Sequence, residues 1–134
     1  KSEFKKKINN NEFIEFEEVY GGVHYGTLKS EIENIWTNNE VALFDIDVVG
    51  GFNIKKMYPM NTLSIFVMPP SIDTLKKRLI SRGDISDNEI NRRIKKAELE
   101  LDFASKFDKI IINNDLEESK KIASNLVNEF IENE

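Results

Sequence analysis

Residues 41–51 read Val-Ala-Leu-Phe-Asp-Ile-Asp-Val-Val-Gly-Gly. From Val41 to Val48 apolar side chains fall on both faces of an extended chain, the pattern of a buried parallel strand. The run closes in acid at Asp45 and Asp47, and Gly50-Gly51 follow. Downstream, Leu63 to Met68 (LSIFVM) predicts a second buried strand, ended by Pro69-Pro70, and Lys109 to Ile112 predicts a third. Helices are expected between them. A short one fits Phe52 to Met57, stopped by Pro59, which cannot continue a helix. Ser71 is placed to cap a helix carrying Ile72, Leu75 and Leu79, with Gly83 at its end. Ser86 with Glu89 forms a capping box for a long helix striped by Ile90, Ile94, Ala97, Leu101 and Ala104. Asp115 with Glu118 resembles another, before a helix carrying Ile122, Leu126, Val127 and Phe130. Strands alternating with helices imply an α/β architecture with a parallel sheet. Ligands of such sheets bind beyond the carboxyl ends of the strands, which predicts Asp45, Asp47, Pro69 and Asn113 along one rim.

The residues before Val41 follow another pattern. Ser2 to Asn11 reads as a helix end, with Phe4 and Ile8 four apart. Phe13 to Tyr20 reads as a strand, with Ile14, Phe16 and Tyr20 on one face and Glu15, Glu17, Phe13 and Val19 on the other. Gly21-Gly22 signals a turn. From Thr27 the period becomes helical through Leu28, Ile32, Ile35 and Trp36, closing at Asn38-Asn39. A small α+β insert is expected here.

Composition narrows the function. The chain has 134 residues, 40% apolar and 32% charged, with a formal net charge of -5. That is ordinary for one globular domain, and it gives no electrostatic footprint for nucleic acid. With no cysteine, disulfides and thiolate metal sites are excluded, and the lone His24 excludes a multi-histidine site. No apolar run approaches the roughly 20 residues of a membrane span. No signal peptide opens the chain, so a cytoplasmic protein is expected. The first residue is Lys, which leaves open a fragment, a processed chain or the ordered part of a longer one.

Three groups of residues carry chemistry. An apolar strand ending in Asp45 and Asp47 suits a Walker-B position, where a rigid strand presents carboxylate to Mg2+ and phosphates. The competing reading is that one of the two caps the next helix. Arg78 and Arg82 share a helix face, and Arg92 and Arg93 follow a polar segment. Converging guanidiniums suit phosphates, because each offers a planar fork of donors. The competing reading is a solvated, salt-bridged face. Tyr25-Gly26-Thr27 brings two hydroxyls to a glycine turn, although Thr27 also suits the N-cap of the next helix. His24 reads as a surface or turn residue and Trp36 as core.

The order of these elements adds specificity. EFKKKINNNEFIEF, YGT, LFDIDVVGG, IFVMPPS, LKKRLISRG, EINRRIKKAELEL and DKIIINNDLEESKK follow one another along nearly the whole chain, and the series resembles the guanylate kinase family. The resemblance implies a P-loop NTPase-like parallel sheet flanked by helices, a small α+β GMP-binding insert and a helical lid. It implies residues 1–36 in the GMP-binding part and 37–134 in the core, with the lid about 80–100. It implies transfer of phosphate from ATP to GMP with Mg2+, by a monomer or homodimer with no nucleic-acid or membrane partner. Glu15 then matches a glutamate on the guanine edge, Asp47 a guanine-reading aspartate, Tyr25 a tyrosine on the GMP phosphate and Thr27 a hydroxyl on the guanine carbonyl. Asp45 matches the acid near phosphates and an indirectly held Mg2+. Arg82 and Arg93 match lid arginines that close on the ATP phosphates, with Arg78 a third, and Asn113 an asparagine near adenine. The chemistry is consistent: guanine offers N1–H and N2–H donors to two carboxylates, and adenine lacks that pair.

The series departs from the family at three places. The turn YGGVHYG is longer by a residue than the usual one, Asn114 stands where the family often has Asp, and the 134 residues contain no GxxxxGK[ST] and no upstream arginine pair for the GMP phosphate. The N-terminal P-loop strand and helix are therefore expected to be missing, and the chain alone to be inactive. The alternatives are a guanylate-kinase-like module that binds protein ligands without catalysis, and a fragment that has lost catalysis altogether.

Overall fold

A computed structural model of the chain describes residues 2–19 and 22–133. Tyr20 and Gly21, assigned from sequence to the first strand and the turn after it, lie outside the described residues. The chain forms two compact units, Lys1–Thr62 and Leu63–Glu134. These units are defined by packing, whereas the expected division at residue 36 concerns ligand roles.

The first unit begins with α1 (Ser2–Asn9), β1 (Phe13–Val19), β2 (Val23–Leu28) and α2 (Lys29–Thr37), and α3 (Val48–Met57) follows a non-helical stretch. β1 and β2 form an antiparallel pair in which Glu15 faces Thr27, Phe16 faces Gly26 and Glu17 faces Tyr25. The register slips between Phe13 and Glu15. This irregularity lets Phe13 and Ile14 both be buried, where strict alternation would expose one of them. Gly26 is required by the pairing. A Cβ there would stand 2.8 Å from the Glu15 carbonyl oxygen and 2.8 Å from Phe13 Cδ1. Phe4 of α1 closes over this face, 4.4 Å from Phe13 and 5.1 Å from His24 between ring centroids.

β2 is the main departure from the sequence reading. Tyr25-Gly26-Thr27 lies in a strand, and α2 begins only after it. Leu28 holds the N-cap position with no side-chain bond. Thr27 is therefore not a helix cap. A second departure concerns residues 41–47, which carry no regular secondary structure and belong to no ladder among the described residues. Alternation nevertheless organises them. Ala42, Phe44 and Ile46 pack on the cluster of Ile14, Ile32 and Ile54, while Val41 and Leu43 face outward. Trp36, expected in the core, is 42% exposed and sets its ring edge-on to Tyr58 at 5.1 Å.

The second unit contains β3 (Ile65–Met68), α4 (Ile72–Ser81), α5 (Asp87–Leu101), a 3-10 turn (Ala104–Lys106), β4 (Lys109–Ile112) and α6 (Leu116–Glu132). β3 and β4 pair in parallel, Ile65 with Lys109 through Met68 with Ile112. The pair is pinned at its start by one carboxylate. Asp108 Oδ2 accepts from both the backbone N–H and the hydroxyl of the buried Ser64, each at 2.8 Å. The three caps predicted in this unit are formed: Ser71, Ser86 and Asp115 each accept from the backbone N–H three residues on. Gly83, at φ 69°, closes the turn after α4. α5 stops at Leu101, so Ala104 is buried in the 3-10 turn and not in the helix. Phe66, Leu79, Ile90, Ala104 and Ile111 are the buried apolar residues of this unit, with Phe107 edge-on to Phe66.

Candidate functional site

In the first unit, β1 and α3 form the walls of an open cleft of about 550 Å3. Glu15 and Asp47 both line it, although 31 residues separate them in sequence. Thr27 Oγ1 donates to Glu15 Oε1 at 2.7 Å, fixing the carboxylate from the neighbouring strand. Asp47 is the N-cap of α3, and its Oδ1 accepts from the Gly50 N–H at 2.8 Å. The helix-capping reading of one of the two aspartates is thus the observed one, for Asp47. A cap needs one oxygen. Glu15 Oε2 and Asp47 Oδ2 have no bonding partner among the described residues, so each carboxylate keeps an acceptor.

α3 starts at Val48, four residues earlier than the sequence suggests, because the Asp47 cap carries the helix through Gly50-Gly51. A Cβ at Gly50 would meet Asp47 Oδ1 at 3.1 Å, so glycine leaves that carboxylate room. The early start sets Val49, Asn53 and Lys56 on one helical face, and all three line the cleft. Sequence reasoning missed Asn53 and Lys56. Their spacing from Val49 was the available signal, hidden by beginning the helix at Phe52. Phe13, Val49 and Met57 supply apolar surface suited to a flat ring, beside two carboxylates suited to its donor edge.

Tyr25 is 64% exposed on β2, facing Glu17, outside the cleft lining. Asp45 is exposed on the non-helical stretch before α3. Among the described residues no three His, Cys, Asp or Glu side chains gather to hold a metal. The described side chains therefore do not by themselves fit a tightly held Mg2+.

In the second unit the arginines divide. Arg78 spreads its fork over two successive carbonyls after β4, Nη1 to Asn113 O at 2.7 Å and Nη2 to Asn114 O at 3.1 Å. Arg93 Nε and Arg92 Nη2 both donate to Glu89 Oε1, at 3.1 and 2.8 Å, on the exposed face of α5. The salt-bridged face weighed against phosphate binding is therefore present for these two. Arg82, the C-cap residue of α4, is exposed and makes no side-chain bond with described residues. Asn113 stands at the carboxyl end of β4, its N–H donating to Met68 O at 2.7 Å.

Comparison with known proteins places this arrangement. The family model described as guanylate kinase matches residues 1–133. The chain belongs to the guanylate kinase family. It is 52% identical over 129 residues to the guanylate kinase of Bacteroides fragilis, covering 96% of this chain and 63% of that protein. It is 48% identical over 132 residues to that of Bacteroides thetaiotaomicron, covering 98% of this chain and 65% of the relative. The chain thus spans somewhat under two thirds of these relatives' length. A crystal structure of guanylate kinase from Anaplasma phagocytophilum superposes with a TM-score of 0.72 at 31% identity, covering 96% of this chain and 62% of that one. The guanylate kinase fold accounts for the helices beside the small parallel sheet, a P-loop NTPase-like α/β arrangement. No helix of the described residues is long and apolar enough to cross a membrane.

Proposed function

We propose that this chain serves ATP-dependent phosphorylation of GMP, as a kinase of nucleoside monophosphates whose acceptor is guanine-specific. The observation that carries the reading is the pair of carboxylates, Glu15 and Asp47, lining one cleft with one unengaged oxygen each. Guanine's N1–H and N2–H donors match two acceptors, and a buried carboxylate left unpaired penalises adenine. Thr27 acts by holding Glu15; a contact with the guanine carbonyl would require its hydroxyl to turn. Tyr25 serves the GMP phosphate. Residues 1–36 belong to the GMP-binding part and 37–134 to the core, with a lid about 80–100.

In the reaction a phosphate oxygen of GMP bonds to the γ-phosphorus of ATP, the bond to the β-phosphate oxygen breaks, and GDP and ADP leave. Arg82 and Arg93 neutralise charge on the transferring group, Arg93 after leaving Glu89. Arg78 acts through Asn113, which serves the adenine side. Mg2+ bound to the ATP phosphates would supply charge neutralisation, with Asp45 as its protein contact. A cytoplasmic protein, monomeric or dimeric, fits these substrates.

Calorimetric titration of GMP and AMP tests the reading. Binding of GMP well ahead of AMP, with the preference reduced in Glu15→Gln, is the expected result. Equal or absent binding of the two would leave the protein-binding module as the better account.

A further inference from the structure

The two carboxylates of the cleft, Glu15 and Asp47, offer acceptors only. Guanine is not all donor. Beside N1–H it carries the O6 carbonyl, and next to that the unprotonated N7, two acceptors in a row. The carboxylates cannot serve these atoms. Nor does Thr27, because an ionised carboxylate only accepts, so the Thr27 hydroxyl proton is committed to Glu15 Oε1 at 2.7 Å.

Three side chains of the lining carry N–H donors: Asn11, Asn53 and Lys56. Lys56 is the one cation among them. An amide holds an acceptor beside its donors, whereas an ammonium has three donors and no acceptor, which suits two adjacent acceptors. The two consecutive lysines of α3 differ in their engagement. Lys55 Nζ is tied to the loop after the helix, donating to Pro59 O at 2.8 Å and Thr62 O at 2.7 Å. Lys56 is exposed and makes no side-chain bond with the described residues. It follows Asp47 by nine residues, about 13 Å along the helix axis at 1.5 Å per residue. Side chains on a helix lean toward its N-terminus, so the four-carbon stem of Lys56 leans back along the cleft toward Asp47. A flat base can lie between the two charged ends.

We infer that Lys56 is a specificity-determining residue that donates to O6 and N7 of the bound base. Helix α3 then reads guanine at both ends, the donor edge with Asp47 and the acceptor edge with Lys56. Adenine keeps N7 but carries an amino group in place of O6, and that donor would face the ammonium. Lys56 thereby adds a second penalty against adenine, independent of the carboxylates. The inference rests on the proposed reading that this cleft holds the base of GMP.

Calorimetry on the intact natural protein tests it, with GMP, AMP, 6-thio-GMP and 7-deaza-GMP as ligands. Both analogues keep the N1–H and N2–H donors. The first weakens the acceptor at O6, and the second removes the one at N7. Lys56→Met keeps the length of the stem without the charge, and Lys56→Arg keeps donors in a fork that also suits O6 and N7. The wild type should bind GMP about tenfold more tightly than either analogue, the scale of one hydrogen bond to a charged group. In Lys56→Met, GMP affinity should fall by about tenfold or more and the differences between GMP and the analogues should vanish. Lys56→Arg should restore most of both. The melting temperature should hold in each variant, because Lys56 is exposed. Unchanged GMP affinity in Lys56→Met would overturn the inference. An equal loss for GMP and both analogues would overturn it too, assigning Lys56 to attraction of the phosphate. Equal binding of GMP and AMP by the wild type would strike the guanine reading itself, and this inference with it, whatever the variants do.

Discussion

Thr27 and Glu15 are locked together across β1 and β2, hydroxyl to carboxylate at 2.7 Å, at positions that face each other in the strand register. The bond fixes one carboxylate oxygen and leaves the other for a ligand. Thr27→Val keeps the branched shape that suits a strand and removes only the donor. GMP affinity should fall by about tenfold, near the low end of the roughly 1.5–3 kcal/mol of a hydrogen bond to a charged group, while ATP affinity holds. Calorimetry with each nucleotide measures both. Unchanged GMP affinity would mean that Glu15 needs no positioning.

Asp47 has two duties that can be separated. Asn caps a helix about as well as Asp, so Asp47→Asn should leave the melting temperature nearly unchanged. It should weaken GMP binding by about 1–3 kcal/mol, because an amide donor then meets a guanine donor. Asp47→Ala should show the same binding loss plus about 1 kcal/mol of lost stability from the cap. Thermal melts beside titrations distinguish the two. Equal stability in both variants would refute the cap's contribution.

The arginines should separate in the same manner. Arg78→Lys replaces a fork with a point charge that cannot span two carbonyls, and should destabilise the fold by about 1–2 kcal/mol. Arg93 gives up only an exposed helix pair, worth about 0.3–0.5 kcal/mol, so Arg93→Ala should melt almost as the wild type does. Arg82→Ala should do likewise. Each of the latter two should lower turnover of the intact natural protein by about a hundredfold or more, measured by coupled ADP production. Normal turnover in both would return these residues to a purely solvated role.

Gly26→Ala should harm fold and site together. The new Cβ would stand 2.8 Å from the Glu15 carbonyl and 2.9 Å from Phe16 Cβ. The strands must part, at about 1–3 kcal/mol by the usual cost of overpacking. Urea unfolding should register the loss, with weaker GMP binding as Glu15 shifts. A variant as stable as the wild type would show that the hairpin yields freely.

Glu12 contributes one pH dependence. The Asn10 amide, followed by the Lys7 ammonium at 3.2 Å, holds its carboxyl below the ordinary 4.5. A lowered folded-state value means that the contribution is full above that ordinary value and is lost as pH falls through the folded one. An NMR titration of the Glu12 carboxyl should therefore have its midpoint below 4.5, rising in Asn10→Ala. An unmoved midpoint in that variant would remove Asn10 as the main cause.

What the sequence determined by itself is whatever depends on neighbours along the chain. Ser71, Ser86 and Asp115 bond the N–H three residues on, Gly83 relieves a turn, and Pro69-Pro70 ends β3; each interaction spans a few residues and leaves a local mark. The family was legible for the same reason, since its motifs are short strings in a fixed order. Tertiary structure decided the rest. Tyr25-Gly26-Thr27 carries no alternation and is a strand only because β1 lies beside it. Residues 41–47 have the composition of a buried strand, yet no ladder partner among the described residues. The fork of Arg78 closes on carbonyls 35 and 36 residues away. Glu15 and Asp47 share a cleft only because α3 packs on β1. Such partners are distant in sequence, and no periodicity records which distant backbone will supply the missing donor or acceptor.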